Sequence, residues 1–241
     1  MSPIQLVVFD MAGTTVKDQN EVHDCFMQAS QKFGLAAPTE QVVGMMGWSK
    51  KLVFQTLWAE QLGKDHPDYA AKVEASYAEF KTILEDHYRT QAVEPTSSCL
   101  ELLAWLKSQN IKIALNTGFY REVTNIILQR LGWDRGLDDN YVGSQDSVIQ
   151  SSVTPSEIYN QEGRPAPYMI QKAMYQLGIR DPQTVIVVGD TPSDLEAGMN
   201  AHCFWSLGVT NGTHTQEQLQ TYPNHGLLDS LWDLKDKIAN L

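Results

Sequence analysis

Short apolar runs separated by helical spacing are the main pattern along this chain. Four of these runs predict buried strands, at residues 4–9, 111–115, 185–188 and 204–207, and residues 141–142 predict a weaker one. Helical spacing predicts helices at residues 120–131, 167–177, 193–199 and 228–241, and Ser97 or Ser98 is placed to cap another that runs to Leu106. Strands that alternate with helices predict a parallel sheet covered on both faces.

Residues 17–90 interrupt this alternation, because they show helical spacing only. Apolar residues recur on one helical face in three stretches: Val22, Phe26, Ala29 and Phe33, then Leu52, Val53, Thr56, Leu57 and Leu62, then Val73, Tyr77, Phe80, Ile83 and Leu84. We therefore predict an α/β fold, in which a doubly wound parallel sheet carries an inserted all-helical cap. The core domain is assigned to residues 1–16 and 92–241, and the cap domain to residues 17–91.

Composition and charge narrow the class of partner. The chain has 241 residues and a net charge of −11, so we expect it to bind neither nucleic acid nor an anionic membrane. It has no apolar stretch near the ~20 residues that span a bilayer, and no signal-like pattern opens it. Its three cysteines, Cys25, Cys99 and Cys203, are far apart, which is typical of reduced thiols in a cytoplasmic protein. An anionic substrate would need positive charge that the site itself supplies.

Polar residues follow three of the predicted strands. Asp10 follows the first and precedes a Gly13 turn, Thr117 follows the second, and Asp190 follows the third. Ligands of such sheets bind beyond the carboxyl ends of the strands. Asp190 and Asp194 are four residues apart and can face one point, where carboxylates suit Mg²⁺. The alternatives are a turn aspartate at Asp10 and an acidic first helical turn at Asp194. We favour the metal, because Asp10 supplies a third carboxylate at the same edge.

Two further segments suit an anionic group. The hydroxyl of Thr117 and the N–H of Gly118 suit a phosphoryl oxygen, although the segment is also an ordinary strand-to-helix turn. Arg164 lies in the stiff Gly-Arg-Pro-Ala-Pro segment that precedes a predicted helix. It is either a surface arginine or a permanent cation that holds a phosphate and orients the nucleophile.

Lys50 is the candidate for chemistry at carbon. Ser49 is placed to cap a helix, which puts Lys50 and Lys51 in its first turn. The positive end of the helix dipole and the neighbouring charge of Lys51 would lower the pKa of Lys50 and leave more neutral amine. The alternative is a pair of solvated lysines.

Four segments, taken in order, carry a family resemblance. The segments FDMAGTT, NTG, GRPAP and GDTPSD resemble the haloacid dehalogenase superfamily of phosphotransferases. Within it, the chain looks most like the phosphonoacetaldehyde hydrolase (phosphonatase) and phosphonatase-like family. The markers are Ala12, Arg164, the stretch at residues 153–167, and Lys50 in MGWSK.

The resemblance implies a role for each matching residue. It makes Asp10 the nucleophile that takes the phosphoryl group, and it makes Lys50 the amine that forms a Schiff base with an aldehyde. The implied Mg²⁺ ligands are Asp10, the Ala12 carbonyl and Asp190, with Asp194 supporting the water shell of the metal. The implied phosphoryl-binding residues are Thr117, Gly118 and Arg164, and we expect Gly13 and Met46 to contact the substrate as well.

Ala12 and Lys50 explain each other within this resemblance. Typical phosphatases of the superfamily have an aspartate at the position of Ala12, which protonates the leaving alcohol. Its loss costs about 10²–10⁴ in rate, or roughly 3–5 kcal/mol of barrier. A protonated imine on Lys50 would instead accept the electrons of a broken carbon–phosphorus bond. Phosphonatase itself has a histidine shortly after the lysine, whereas Lys51, Leu52 and Val53 follow it here.

The expected function is therefore Mg²⁺-dependent cleavage of phosphonoacetaldehyde or a close phosphonate analogue. One alternative is a phosphomonoesterase of the same superfamily that acts on small phosphate esters. Another is a binding or regulatory protein that has kept the fold without catalysis. Four aromatic residues of the cap serve either a homodimer contact or the cap core: Trp48, Trp58, Tyr69 and Tyr77.

Overall fold

The computed structural model describes residues 4–241, and a six-stranded sheet forms its centre. The sheet has the order β3-β2-β1-β4-β5-β6, and every neighbouring pair is parallel. The strands are β1 (Leu6–Phe9), β2 (Lys112–Asn116), β3 (Ser151–Val153), β4 (Val185–Gly189), β5 (Trp205–Val209) and β6 (Leu227–Leu228). The order reverses between β1 and β4, and at such a switch point the carboxyl ends of the strands form a crevice.

Helices cover both faces of the sheet, which confirms the doubly wound α/β fold. The core helices are α5 (Cys99–Ser108), α6 (Arg121–Leu131), α7 (Tyr168–Gln176), α8 (Pro192–Asn200), α9 (Gln216–Leu219) and α10 (Asp233–Ala239). Successive strand residues point to opposite faces. Val7 and Phe9 of β1 therefore pack with α5 and α6, whereas Leu6 and Val8 pack with α7 and α8. Three single 3₁₀ turns add to this part, at Pro155–Glu157, Tyr159–Gln161 and Pro182–Thr184.

Four helices lie between β1 and α5 in the chain. They are α1 (Glu21–Phe33), α2 (Thr39–Gly44), α3 (Lys50–Leu62) and α4 (Tyr69–Thr90). Phe26, Phe54 and Phe80 pack at their centre, with the rings of Phe26 and Phe54 stacked 4.3 Å apart. Trp58 is buried and donates to the hydroxyl of Ser76 over 3.0 Å. Trp58 therefore belongs to the interior of this helical part, while the homodimer contact through the cap stays a prediction.

The chain leaves the sheet and returns to it at adjacent points. Val16 and Pro95 form an antiparallel bridge. Lys17 N–H donates to the Glu94 carbonyl over 3.0 Å, and Thr96 N–H donates to the Thr15 carbonyl over 3.0 Å. This double crossing joins α1–α4 to the core directly beside the end of β1, so the loops of both parts meet over the same sheet edge.

Several local predictions were wrong. Residues 141–142 form no strand, and the third strand along the chain is β3, whose serines give no apolar signal. The strand near residue 204 is not the last, because β6 pairs beyond it, and the C-terminal helix is the short α10. Neither Ser49 nor Ser98 makes a side-chain cap bond. The sequence reading also missed α2, a single short helix that buries one valine.

Two global predictions concern membranes and cysteines. Over the described residues, each helix is too short or too polar to cross a bilayer. Cys25, Cys99 and Cys203 are buried, and none of them forms a disulfide.

Candidate active site

Asp10 occupies the carboxyl end of the central strand β1. Its N–H donates to the Val188 carbonyl over 2.9 Å, so the backbone hydrogen bonds between β1 and β4 extend to Asp10. Gly13, with a φ of 82°, reverses the chain just beyond it. A Cβ at Gly13 would lie 2.8 Å from Cγ of Asp190. Glycine is therefore required by the backbone conformation and by the neighbouring carboxylate.

Three buried carboxylates converge at this edge. One oxygen from each of Asp10, Asp190 and Asp194 lies within 4.8 Å of the others. Burial, together with repulsion from the other carboxylates, raises the pKa of Asp10 and of Asp194, against the opposing charge of Arg164. Oδ1 of Asp10 is buried and lies 2.9 Å from Nη1 of Arg164, but among the described residues it accepts no hydrogen bond of good geometry. An all-oxygen, electron-rich set with an unsatisfied oxygen fits a hard divalent cation such as Mg²⁺.

Asp190 and Asp194 are held by different contacts. Asp190 accepts from the Thr14 hydroxyl over 3.1 Å and from the Thr213 N–H over 2.6 Å. One oxygen of Asp194 accepts from the N–H of Thr191 over 3.1 Å and from its hydroxyl over 2.6 Å, forming a capping box at the start of α8. Its other oxygen pairs with Arg164. Both oxygens of Asp194 are thus engaged within the protein, so Asp194 is suited to hold the neighbouring groups of the site in place.

Arg164 is a buried side chain that joins the core to the cap, which excludes the surface alternative. It is 3% exposed, and its Nη1 lies 2.9 Å from Oδ1 of Asp10 and also pairs with Asp194. Its Nη2 donates to the Gly47 carbonyl, in the loop before α3, over 3.0 Å. The guanidinium therefore fixes the orientation of the Asp10 carboxylate while it contacts the opposite wall of the site.

The loop after β2 brings Thr117 and Gly118 to the same place. Phe119 N–H donates to the Thr117 hydroxyl over 3.2 Å, which leaves the hydroxyl proton available to a ligand. A Cβ at Gly118 would lie 2.6 Å from the carbonyl oxygen of Gly47 and 3.1 Å from that of Trp48. Only glycine lets these core and cap loops approach so closely.

Lys50 begins α3 and is buried, whereas its neighbour Lys51 is not. Nζ of Lys50 donates to the Trp48 carbonyl over 3.3 Å, and within residues 4–241 it takes part in no salt bridge. Lys51 pairs with Glu74 over 2.8 Å. The pKa of Lys50 falls from 10.5 to about 8, chiefly through burial and then through the charge of Arg164. The charge of Lys51, which the sequence reading invoked, is not among the causes.

A single small cavity connects most of the predicted residues. It has a volume of about 30 Å³, and its lining includes Asp10, Ala12, Met46, Lys50, Thr117, Gly118 and Arg164. Gly13, Asp190 and Asp194 lie outside the lining. This volume has room for about one or a few water molecules. A substrate therefore needs a wider space between the core loops and the cap loops than this structure has.

Asp18, Gly212 and Thr213 belong to the site although no signal in the local sequence marks them. Asp18 lines the cavity, yet no local motif marks it. Thr213 lines it too and holds Asp190 through its N–H. Gly212 lies so close that a Cβ there would be 2.7 Å from Cγ of Asp190. Only the long-range packing of the loop after β5 brings Gly212 and Thr213 to Asp190.

The family model of haloacid dehalogenase-like hydrolases matches residues 4–202. The chain belongs to this family. That confirms the resemblance drawn from its four segments and makes the protein a hydrolase of the family.

Curated relatives in the family carry one recurring name. The phosphonoacetaldehyde hydrolase of Bacillus cytotoxicus is 30% identical over 225 residues, which cover 87% of this chain and 77% of that protein. A bifunctional phosphonoacetaldehyde hydrolase/aminoethylphosphonate transaminase of Clostridioides difficile is 28% identical over 90% of this chain. The chain spans about a third of the length of that relative, 34%.

Solved structures of the family share the fold at lower identity. A phosphonoacetaldehyde hydrolase like protein from Oleispira antarctica superposes with a TM-score of 0.79 at 18% identity, over 99% of this chain and 92% of that one. A predicted phosphoglycolate phosphatase from Haemophilus somnus gives 0.75, also at 18% identity, over 98% and 99%. Because proteins with different names share this fold, the fold alone does not select a substrate.

Proposed function

We propose that this hydrolase cleaves the carbon–phosphorus bond of phosphonoacetaldehyde or a close phosphonate analogue in a Mg²⁺-dependent reaction. Asp10 takes the phosphoryl group as an aspartyl-phosphate, and Lys50 holds the aldehyde carbon as a Schiff base. The observation that carries this proposal is a buried lysine amine and a buried aspartate in the lining of one small cavity.

The amine of Lys50 is suited to attack a carbonyl carbon. Taking an ammonium group out of water is costly unless it is paired, and Lys50 donates only to a backbone carbonyl. With a pKa of about 8 it is about a quarter neutral at pH 7.5, against about a thousandth for a lysine at 10.5. Only the neutral amine is a nucleophile. The burial of Lys50 therefore increases the reactive form at neutral pH.

The phosphoryl end of the site lies in the core loops. Asp10 is held by Arg164 in a fixed orientation for attack on phosphorus. The Thr117 hydroxyl, the Gly118 N–H and the guanidinium are the donors for the phosphoryl oxygens. Mg²⁺, when bound by Asp10, the Ala12 carbonyl and Asp190, would neutralise negative charge on the carboxylates and the phosphoryl group. The chain's own residues position the nucleophile and the departing carbon.

Ala12 leaves the site without an acid at the position where an ester substrate would need one. Ala12 lines the cavity, and its methyl side chain cannot donate a proton. A carbon leaving group departs without that proton if its electron pair moves into an imine. The protonated imine on Lys50 accepts the pair and becomes an enamine, so the absence of an acid at residue 12 is compatible with this reaction.

Borohydride trapping tests the proposal. Incubation with phosphonoacetaldehyde, Mg²⁺ and borohydride should attach an alkyl group to Lys50, which peptide mass spectrometry locates, and should inactivate the enzyme. The matched control is Lys51→Ala, which removes the neighbouring lysine and should be tagged like the wild type. Phosphate release from the phosphonate without a tag on any lysine would contradict the Schiff base.

A phosphomonoesterase is the second candidate, because the ion pairs that hold Asp10 and Asp194 run to Arg164 and not to Lys50. Such an enzyme would hydrolyse p-nitrophenyl phosphate and small sugar phosphates, and Lys50→Ala would keep most of its activity. A screen of phosphonates beside phosphate esters, with and without Mg²⁺, separates the two.

A further inference from the structure

Asp18 is a carboxyl group in the cavity that the roles assigned so far do not use. It lies just beyond the crossing at Val16, before α1, and is partly buried. Within the part of the chain that the structure describes, Asp10 and Asp18 are the two carboxyl groups that line this cavity. Asp10 is committed to phosphorus and to Arg164, so Asp18 is the carboxyl that remains for chemistry at Lys50.

Opposing effects set the pKa of Asp18. Glu21 N–H donates to its Oδ1 over 2.9 Å, which by itself favours the carboxylate. Burial, and then the hydrogen bond and charge of the Glu21 carboxyl, raise the pKa of Asp18 to about 7. Burial alone would raise the pKa of Glu21 too, but the hydrogen bond from Asp18 brings it down. With a pKa of about 7, Asp18 is able to give and to take a proton near neutral pH.

The proposed Schiff base creates a need for such a group. Forming an imine requires a proton for the departing hydroxyl, and hydrolysing it requires a base for the attacking water. The side chains of Ala12 and of Leu52 and Val53, which follow the lysine, can neither donate such a proton nor accept one. Lys51 is paired with Glu74 outside the cavity.

We propose that Asp18 is the catalytic acid and base for the Schiff-base steps at Lys50, an inference that rests on the proposed function. The neutral amine adds to the aldehyde carbon, and one N–H proton ends on the oxygen to give a carbinolamine. Asp18 donates its proton to this hydroxyl, which leaves as water while the nitrogen lone pair forms the C=N bond. After phosphorus has departed, the enamine carbon takes a proton from the solvent, which regenerates the protonated imine. The Asp18 carboxylate then takes a proton from the water that attacks this imine, and is thereby restored.

The test separates these steps from phosphoryl transfer. Acetaldehyde with cyanoborohydride tags a lysine through an imine without any phosphorus chemistry, and the rate of tagging at Lys50 is followed by mass spectrometry. Asp18→Asn keeps an oxygen for the Glu21 N–H but has no proton to donate. It should slow tagging about 10²-fold, while the final extent stays the same. Asp24→Asn, an exposed carboxylate of α1, is the matched control and should tag at the wild-type rate.

The pH profile gives a second readout that a purely structural role would not move. The charged and titratable groups around Asp18 are Glu21 and Cys25 of α1, Lys50 of α3, Tyr88 of α4, and Asp190 after β4. In the wild type the rate should fall on the alkaline side as Asp18 loses its proton, and in Asp18→Asn this fall should disappear. Asp18→Ser is read in the same way if Asp18→Asn does not fold.

The outcomes distinguish the two proposals. If Lys50 of the wild type is tagged and the Asp18 variants tag at the same rate with the same profile, the role of Asp18 is wrong and the proposed function stands. If neither acetaldehyde nor phosphonoacetaldehyde tags Lys50 of the wild type, the Schiff base itself is wrong.

Discussion

The two ends of the candidate site are built in opposite ways. At the phosphoryl end, Arg164 forms ion pairs with both Asp10 and Asp194. Asp194 also takes part in the capping box of α8. At the amine end, Lys50 has one long hydrogen bond to a backbone carbonyl. Ion pairs keep the charged groups in place at the phosphoryl end, whereas the amine of Lys50 has few charged partners and loses its proton more easily. In the proposed function, burial therefore supports two different chemistries, because the number of charged partners differs.

The largest expected effect comes from removing the nucleophile. Asp10→Asn should lower phosphate release by about 10⁴-fold or more, because the amide cannot form the phosphoryl-enzyme. It should still allow Lys50 to be tagged by an aldehyde and borohydride, since the amine end does not require the carboxylate. Loss of tagging in a folded Asp10→Asn protein would show that the two ends are not independent.

Removing the amine is the complementary change. Lys50→Ala should reduce phosphonate cleavage about 10³-fold, which is about 4 kcal/mol of barrier. Lys51→Ala on the same helical turn should stay close to the wild type, because its partner is Glu74. Steady-state phosphate release measures both, and equal losses in the two variants would contradict the distinct role of Lys50.

One added methyl group at Gly118 should widen the contact between the core loop and the cap loop that holds Gly47. Gly118→Ala places a Cβ 2.6 Å from the Gly47 carbonyl, so the loops must separate. Because misplacement by about 1 Å costs about 10²-fold, we expect a loss of about 10–10²-fold in kcat/KM. Gly44→Ala, where a Cβ meets nothing within 4 Å, is the control. Wild-type kinetics in Gly118→Ala would show that the closed contact is not needed.

The pKa of Lys50 predicts a smaller, graded effect. Its pKa is lowered to about 8, and the neutral amine is the nucleophile, so reactivity increases as pH rises through that value. The rate of carbinolamine formation should increase about tenfold between pH 7 and 9 and then level off. Aldehyde-dependent tagging at Lys50 in Asp18→Asn, which lacks the alkaline fall assigned to Asp18, measures this increase over that range. An increase that continues past pH 10 would indicate a solvated lysine.

Metal binding at the phosphoryl end should increase the free energy of unfolding of the protein. Mg²⁺ at about a hundredfold excess over its Kd should add about 2.7 kcal/mol to the free energy of unfolding, or a rise in Tm of roughly 5–10 °C. Asp190→Asn should lose most of this rise, and Asp24→Asn should keep it. A Tm that does not respond to Mg²⁺ in the wild type would contradict the metal site.

The layout of the phosphoryl end could be read from the sequence. Asp10, Thr117 and Asp190 each follow an apolar run, and parallel strands in one sheet bring their carboxyl ends to one edge. The remaining parts were not readable. Ser151–Val153 is a strand without an apolar signal, and buried Arg164 pairs with one carboxylate that follows β1 and another in α8, both distant in sequence.

The sequence by itself determined the doubly wound core, the helical insertion and the strand ends on which the candidate site stands. Apolar runs and helical periodicity are local features of the sequence. The parallel pairing of the strands then fixes where the strand ends lie. Only the tertiary structure decided that Lys50 points inward while Lys51 points to Glu74, that Asp18 joins the cavity, and that Gly118 touches the cap. These choices depend on how a helix is rotated and how two loops meet, which long-range packing sets.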